Sequence, residues 1–112
     1  MREFDEIGYL RVRTEARCEQ LGMDAASMDA LLVPGLGASR REEETRLRIA
    51  DESLTLLFEL FDASARRSWF RTRNTELGGY APLVLATLHL PGLREVRDYL
   101  RSLDRAIDGG SM

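Results

Sequence analysis

Residues 40–61 carry an apolar pattern that suits only a helix, and its shape limits what the rest of the chain can do. At about 100° per residue, Leu47, Ala50, Leu54, Leu57, Phe58 and Phe61 share one broad face. Ile49, Leu56 and Leu60 fall nearly opposite, as a second, narrow stripe. A helix apolar on two sides is either sandwiched within a core or shared with a partner. Ser39 followed by Glu42 is a capping box: the hydroxyl accepts from the third amide of the helix, and the glutamate reaches back. The carboxylates of Glu42, Glu43 and Glu44 crowd the positive pole of the helix dipole, which reads as helix stabilisation rather than acid–base chemistry. The expectation is a long central helix from about 40 to 61.

The remaining sequence is also helical in period, and no stretch alternates at period two. Residues 3–20 suit a first helix, with Phe4, Ile7, Leu10, Cys18 and Leu21 near one face and Arg11 interrupting it. Asp24 is a natural N-cap for a short helix over 24–32 carrying Met28, Leu31 and Leu32. Val33-Pro34-Gly35-Leu36-Gly37 is a breaker cluster and predicts a loop. Asp62 or Ser64 caps a further short helix that ends near Phe70. A turn over 72–79 follows, where Gly78 and Gly79 permit positive φ or a close backbone approach. Pro82 suits the first turn of a helix reaching about Leu88. Pro91 opens the last helix, with Leu93, Val96, Leu100, Leu103 and Ile107 within an arc of about 80°. Asp108-Gly109-Gly110 should end it as a glycine C-cap, with Ser111-Met112 as a frayed end.

A chain of 112 residues has the length of one domain and can bury a core without staples. The charged share of 31% implies a wet surface of mixed sign. A net charge of −3 disfavours strong non-specific nucleic-acid binding, which needs excess positive charge. All the basic residues are arginine, which suits the surface to bidentate pairing with carboxylates or phosphates. No apolar run approaches the roughly 18 residues of a membrane span, and the acidic start MREFDEIGYL does not resemble a signal peptide. One cysteine excludes an intramolecular disulfide. A cytoplasmic bacterial protein fits these features.

Catalytic parts are scarce. His89 is the single histidine, so no histidine pair can hold a metal, and its place at Leu88-His89-Leu90-Pro91 suits a helix junction. Cys18 lies on an apolar face, where cysteine acts as a small hydrophobe. Gly35-Leu36-Gly37 lacks both the following glycine and the preceding strand of a nucleotide loop. No enzyme, no metal site and no cofactor is expected. In Ala65–Asn74, Arg66, Arg67, Arg71 and Arg73 surround Trp69 and Phe70. That composition suits either a partner surface rich in hot-spot residue types or a packed tryptophan under a solvated arginine face.

Residues 68–83 read SWFRTRNTELGGYAPL. With Trp69, Thr72, Asn74, Leu77, Gly78, Gly79, Pro82 and Leu83 at this spacing, the segment resembles the toxin-binding domain of the Xre/MbcA/ParS antitoxin family. Ala86-Thr87, Gly92, Val96 and Leu100 extend the resemblance, which covers about 47–110. Arg73 stands where the family tends to have proline, and the step from Pro82 to Gly92 is slightly longer. The resemblance implies an all-α fold: a small helical domain with a long central helix, toxin-binding helices over 39–112, and a degenerate helix-turn-helix-like part over 1–38. In that part, Leu21-Gly22 and 24–32 resemble the opening helices of Xre regulators, but a full recognition helix is missing or shortened. Arg40 and Arg41 could touch phosphate, opposed by Glu42–Glu44 beside them.

By resemblance, the chain is the antitoxin of a type II toxin–antitoxin pair and masks the NAD-binding cleft of a RES-domain toxin by steric occlusion. The candidate toxin contacts are Trp69, Arg71, Arg73, Asn74 and the tail at Asp108, Gly109 and Gly110. Gly78, Gly79 and Pro82 are expected to shape the turn, and Trp69 could equally belong to the core. Ile49, Leu56 and Leu60 form the candidate homodimer surface. A DNA-binding autorepressor of its own operon and a stand-alone helical adaptor without a toxin are the alternatives.

Overall fold

The structure, a computed structural model, describes residues 5–33 and 37–110, the last three by their backbone alone. It is all-α, with six helices and, among the described residues, no strand. In chain order these are α1 (Glu6–Gln20), α2 (Ala25–Leu32), α3 (Arg40–Leu60), α4 (Ala63–Arg71), α5 (Pro82–Leu88) and α6 (Leu90–Gly110), with a 3-10 turn at Thr75–Leu77 between α4 and α5. Phe4, Pro34, Gly35, Leu36, Ser111 and Met112, all given places in the sequence reading, lie outside the described residues.

Most helix starts are written locally. Asp5, Asp24, Ser39 and Asp62 each accept a hydrogen bond from the amide three residues on, at Gly8, Ser27, Glu42 and Ala65. Each bond satisfies an amide that has no partner inside the helix. At Ser39 the reciprocal half of the box is altered: the Glu42 carboxylate accepts from the Ser39 hydroxyl at 3.4 Å. Pro82 opens α5, where a missing N–H costs nothing. The start of α6 differs from expectation. It begins at Leu90 rather than Pro91, and the His89 ring closes it, Nδ1 accepting from the Gly92 N–H at 2.8 Å. The far end differs too. The helix runs on to Gly110 instead of stopping near Ile107, because glycine inside a helix costs only about 1 kcal/mol and does not by itself end one.

The long helix α3 is the axis of the molecule. It touches α1, α2, α4 and α6, while α5 packs against α2, α4 and α6. Its two apolar sides are therefore largely consumed within one chain. Leu47, Ala50, Leu54 and Leu57 are buried, and so is Ile49 on the other stripe. One core cluster draws Leu10, Cys18, Leu21, Leu31 and Leu32 from the N-terminal helices and Phe70, Leu85, Leu93, Val96 and Leu100 from the C-terminal ones. The buried hydroxyls of Thr14 and Ser53 turn back to the carbonyls of Leu10 and Ile49, at 2.6 and 2.8 Å. No buried side-chain polar atom among the described residues lacks a partner.

Arginine fastens α1 to α3. Arg13 forks onto Asp51 at 2.9 and 2.6 Å, and Arg17 approaches the same carboxylate at 3.5 Å. Arg11 pairs with Glu43, and Arg48 returns from α3 to Glu6 at 2.9 Å. The planar guanidinium suits this seam because it presents paired donors to a carboxylate. On the other flank, Arg101 of α6 holds Glu52 in the same way.

Candidate functional site

The segment that carries Trp69 and the Gly-Gly turn is built as a clip. Arg66 stands over the Phe58 ring at 4.0 Å and donates to the Phe61 carbonyl at 2.9 and 3.1 Å and to the Phe58 carbonyl at 3.3 Å. It thereby closes the C-terminal end of α3, where carbonyls lack partners and the dipole favours a cation. Arg67 donates from Nε to the Gln20 carbonyl at 3.0 Å and does the same for α1. Two of the four arginines in the basic cluster are thus structural ties. Arg71 and Arg73 are exposed and make no hydrogen bond or ion pair among the described residues. The Arg71 guanidinium lies against Gly22, where an added Cβ would stand 3.5 Å from it.

Trp69 is half-buried. Its ring stacks between Phe61 at 5.6 Å and Tyr99 at 6.1 Å, nearly parallel to the latter at 4°. It rests against the core while keeping an edge toward water. The row Phe61–Trp69–Tyr99 joins the end of α3, α4 and α6.

Asn74 organises the turn. Its Oδ1 accepts from the Glu76 N–H at 2.9 Å. Its own N–H donates to the Tyr80 carbonyl, and its carbonyl accepts from Leu77 and Gly79. Gly78 and Gly79 take φ of 70° and 84°, the left-handed region that other residues enter at a cost. Asn74, expected among the contacts, has its side-chain oxygen and its backbone groups engaged in the same turn. The chain then enters α5 through buried Pro82. At the α5–α6 crossing, a Cβ on Gly92 would fall 2.2 Å from the Leu85 carbonyl oxygen.

Of the candidate dimer stripe, Ile49 is covered within its own chain, and Leu56 and Leu60 are half-buried. Leu60 and Phe61 also form, with Leu103, Ala106 and Ile107, an apolar groove of about 290 Å³ between the ends of α3 and α6. The side chains of Asp108, Gly109 and Gly110 lie outside the described residues. Sequence reasoning missed a second apolar surface. Tyr80, Val84 and Leu88 are exposed by 52%, 47% and 60%, and only the i, i+4 spacing of Val84 and Leu88 was readable, without saying which side it faces.

No group of three His, Cys, Asp or Glu among the described residues could hold a metal ion. Cys18 is fully buried, and that burial, with Glu15 and Glu19 nearby, pushes its thiol up to about 12. The thiolate is the reactive form, so this burial disfavours reaction at Cys18. No helix among the described residues is long and apolar enough to cross a membrane.

Fold and surface together describe a small helical binding module. Residues 56–105 match the family model of the Antitoxin Xre/MbcA/ParS C-terminal toxin-binding domain. The match supports an antitoxin role in a toxin–antitoxin pair, with a toxin as the partner. Comparison with curated proteins and with solved structures gives no match.

Proposed function

We propose that this chain is the antitoxin of a type II pair and neutralises a RES-domain toxin by covering its NAD-binding cleft. The observation that carries the reading is the match over 56–105, together with the hydrogen-bonded α4–turn–α5 unit at its centre. The mechanism is steric. A surface already ordered by caps and glycine turns loses little entropy on docking, so its contacts go into affinity. Arg71 and Arg73, exposed and uncommitted, sit at the edge of this contact, with Trp69 and Asn74 flanking them in sequence and the tail at Asp108–Gly110 beyond. Leu56 and Leu60 form the part of the central helix offered to a second copy, Ile49 contributing only from within the core. The test is co-expression with the product of the adjacent gene, followed by size exclusion and a growth assay. A co-eluting complex with restored growth is expected. Toxicity that persists, with the two proteins eluting apart, overturns the reading.

DNA binding by the N-terminal part finds less support. The arginines of α1 are spent on carboxylates of α3, and the described residues between α2 and α3 hold no recognition helix.

A further inference from the structure

The large apolar side chains left in water within residues 56–105 are Tyr80, Val84 and Leu88; the others so exposed, Tyr9, Val12, Val33 and Ile107, lie outside that segment. The three are not scattered. Val84 and Leu88 share one face of α5 by their i, i+4 spacing, and Tyr80 leads onto it from the Gly-Gly turn. The opposite face of the helix, with Pro82 and Ala86, is buried. A helix this short gains nothing from leaving its second face apolar unless that face is covered.

Beside the stripe lies a shallow recess of about 290 Å³ lined by Glu76, Tyr80, Leu88, His89 and Glu95 among others, and by no arginine. Neither the Glu76 nor the Glu95 carboxylate has a hydrogen bond or ion pair among the described residues. Glu43, Asp51 and Glu52 are clamped by arginine; here two uncommitted carboxylates flank an apolar stripe, a pairing of charge and apolar surface suited to a partner that brings cations.

We propose that Tyr80, Val84 and Leu88 are the apolar anchor of the toxin interface, and that Glu76 and Glu95 meet cationic groups of the toxin beside it. The inference rests on the antitoxin reading. A cleft that holds a dinucleotide pyrophosphate presents cations, so the carboxylate side of this domain is complementary to it and the arginine side is not. Arg71 and Arg73 then lie at the periphery, toward acidic groups away from the cleft.

The test uses the full chain and the toxin encoded beside it, with the Kd measured by biolayer interferometry at low and high salt. Leu88→Glu and Val84→Glu each weaken binding by about tenfold or more, as loss of a hot-spot anchor does. The pair Glu76→Arg with Glu95→Arg weakens it most at low salt, where the charges are least screened. Val12→Glu, on exposed α1, leaves the Kd unchanged. Circular dichroism establishes that each variant is folded, and Leu88→Ser replaces Leu88→Glu should the latter lose helicity. Wild-type affinity in the folded stripe variants overturns the surface and leaves the antitoxin reading standing. Failure of the wild-type chain to bind the toxin removes that reading, and the surface with it.

Discussion

A methyl group added at Gly92 would sit 2.2 Å from the carbonyl oxygen of Leu85. The obstacle is backbone, not the end of a flexible side chain, so α5 and α6 would have to separate. Gly92→Ala is expected to destabilise the fold by about 3 kcal/mol, the upper part of the range for overpacking, and to lower the Tm by roughly 10 °C or more. Thermal unfolding followed at 222 nm reads this directly; a Tm within a degree or two of wild type would mean that the crossing is loose. Cys18 works in the opposite sense, through a proton. Its folded-state pKa is raised from an ordinary 9.0 to about 12, so the unfolded chain ionises first. The contribution to stability is intact below pH 9 and is lost as the pH climbs toward 12. At pH 8 the native thiol should be silent to Ellman's reagent and should react fully in guanidinium. Prompt reaction in buffer would place the thiol near the surface.

Asp51 takes part in the joint between two helices. It faces Arg13 and Arg17 from α1, and its side chain is only 13% exposed. Removing it leaves two guanidinium groups part-buried without their anion, so Asp51→Ala should cost about 2 kcal/mol in urea unfolding. Arg13→Ala, which leaves Arg17 beside the carboxylate, should cost about half as much. Equal costs would show that Arg17 contributes nothing. The elements themselves were largely legible in sequence. Asp24, Ser39 and Pro82 announced their helices because capping chemistry is local and short-ranged. His89 did not, because a ring nitrogen serving as an N-cap depends on a side-chain rotation that spacing does not reveal. Nor did Arg66 and Arg67 declare themselves as ties, since the carbonyls they close belong to helices that end earlier in the chain. The α5 stripe was hidden for a similar reason. Tyr80, Val84 and Leu88 look like any core residues until the fold shows which face of a short helix is already occupied.

At the scale of the whole molecule, the central helix has most of its apolar surface covered by its own chain, and the prediction concerns what remains. Leu56→Glu with Leu60→Glu should convert a dimer to a monomer in light scattering with helicity unchanged, the exposed parts of both side chains being the proposed contact. An unchanged mass at normal helicity would assign the stripe to the monomer alone. Two-sided apolarity was readable in the sequence, but the sequence left open whether a neighbour or a partner covers the second side. Burial of Ile49 answers for that residue because α3 is flanked within one chain. Arg66 and Arg67 also set an order of events. The groups that finish α3 and α1 are supplied by α4, which leaves the ribosome after both helices. During synthesis the first sixty or so residues therefore emerge with open carbonyl ends, and they close only when α4 is itself in place. A nascent chain interrupted before Ala63 would lack both ties, leaving the last carbonyls of α1 and α3 to water.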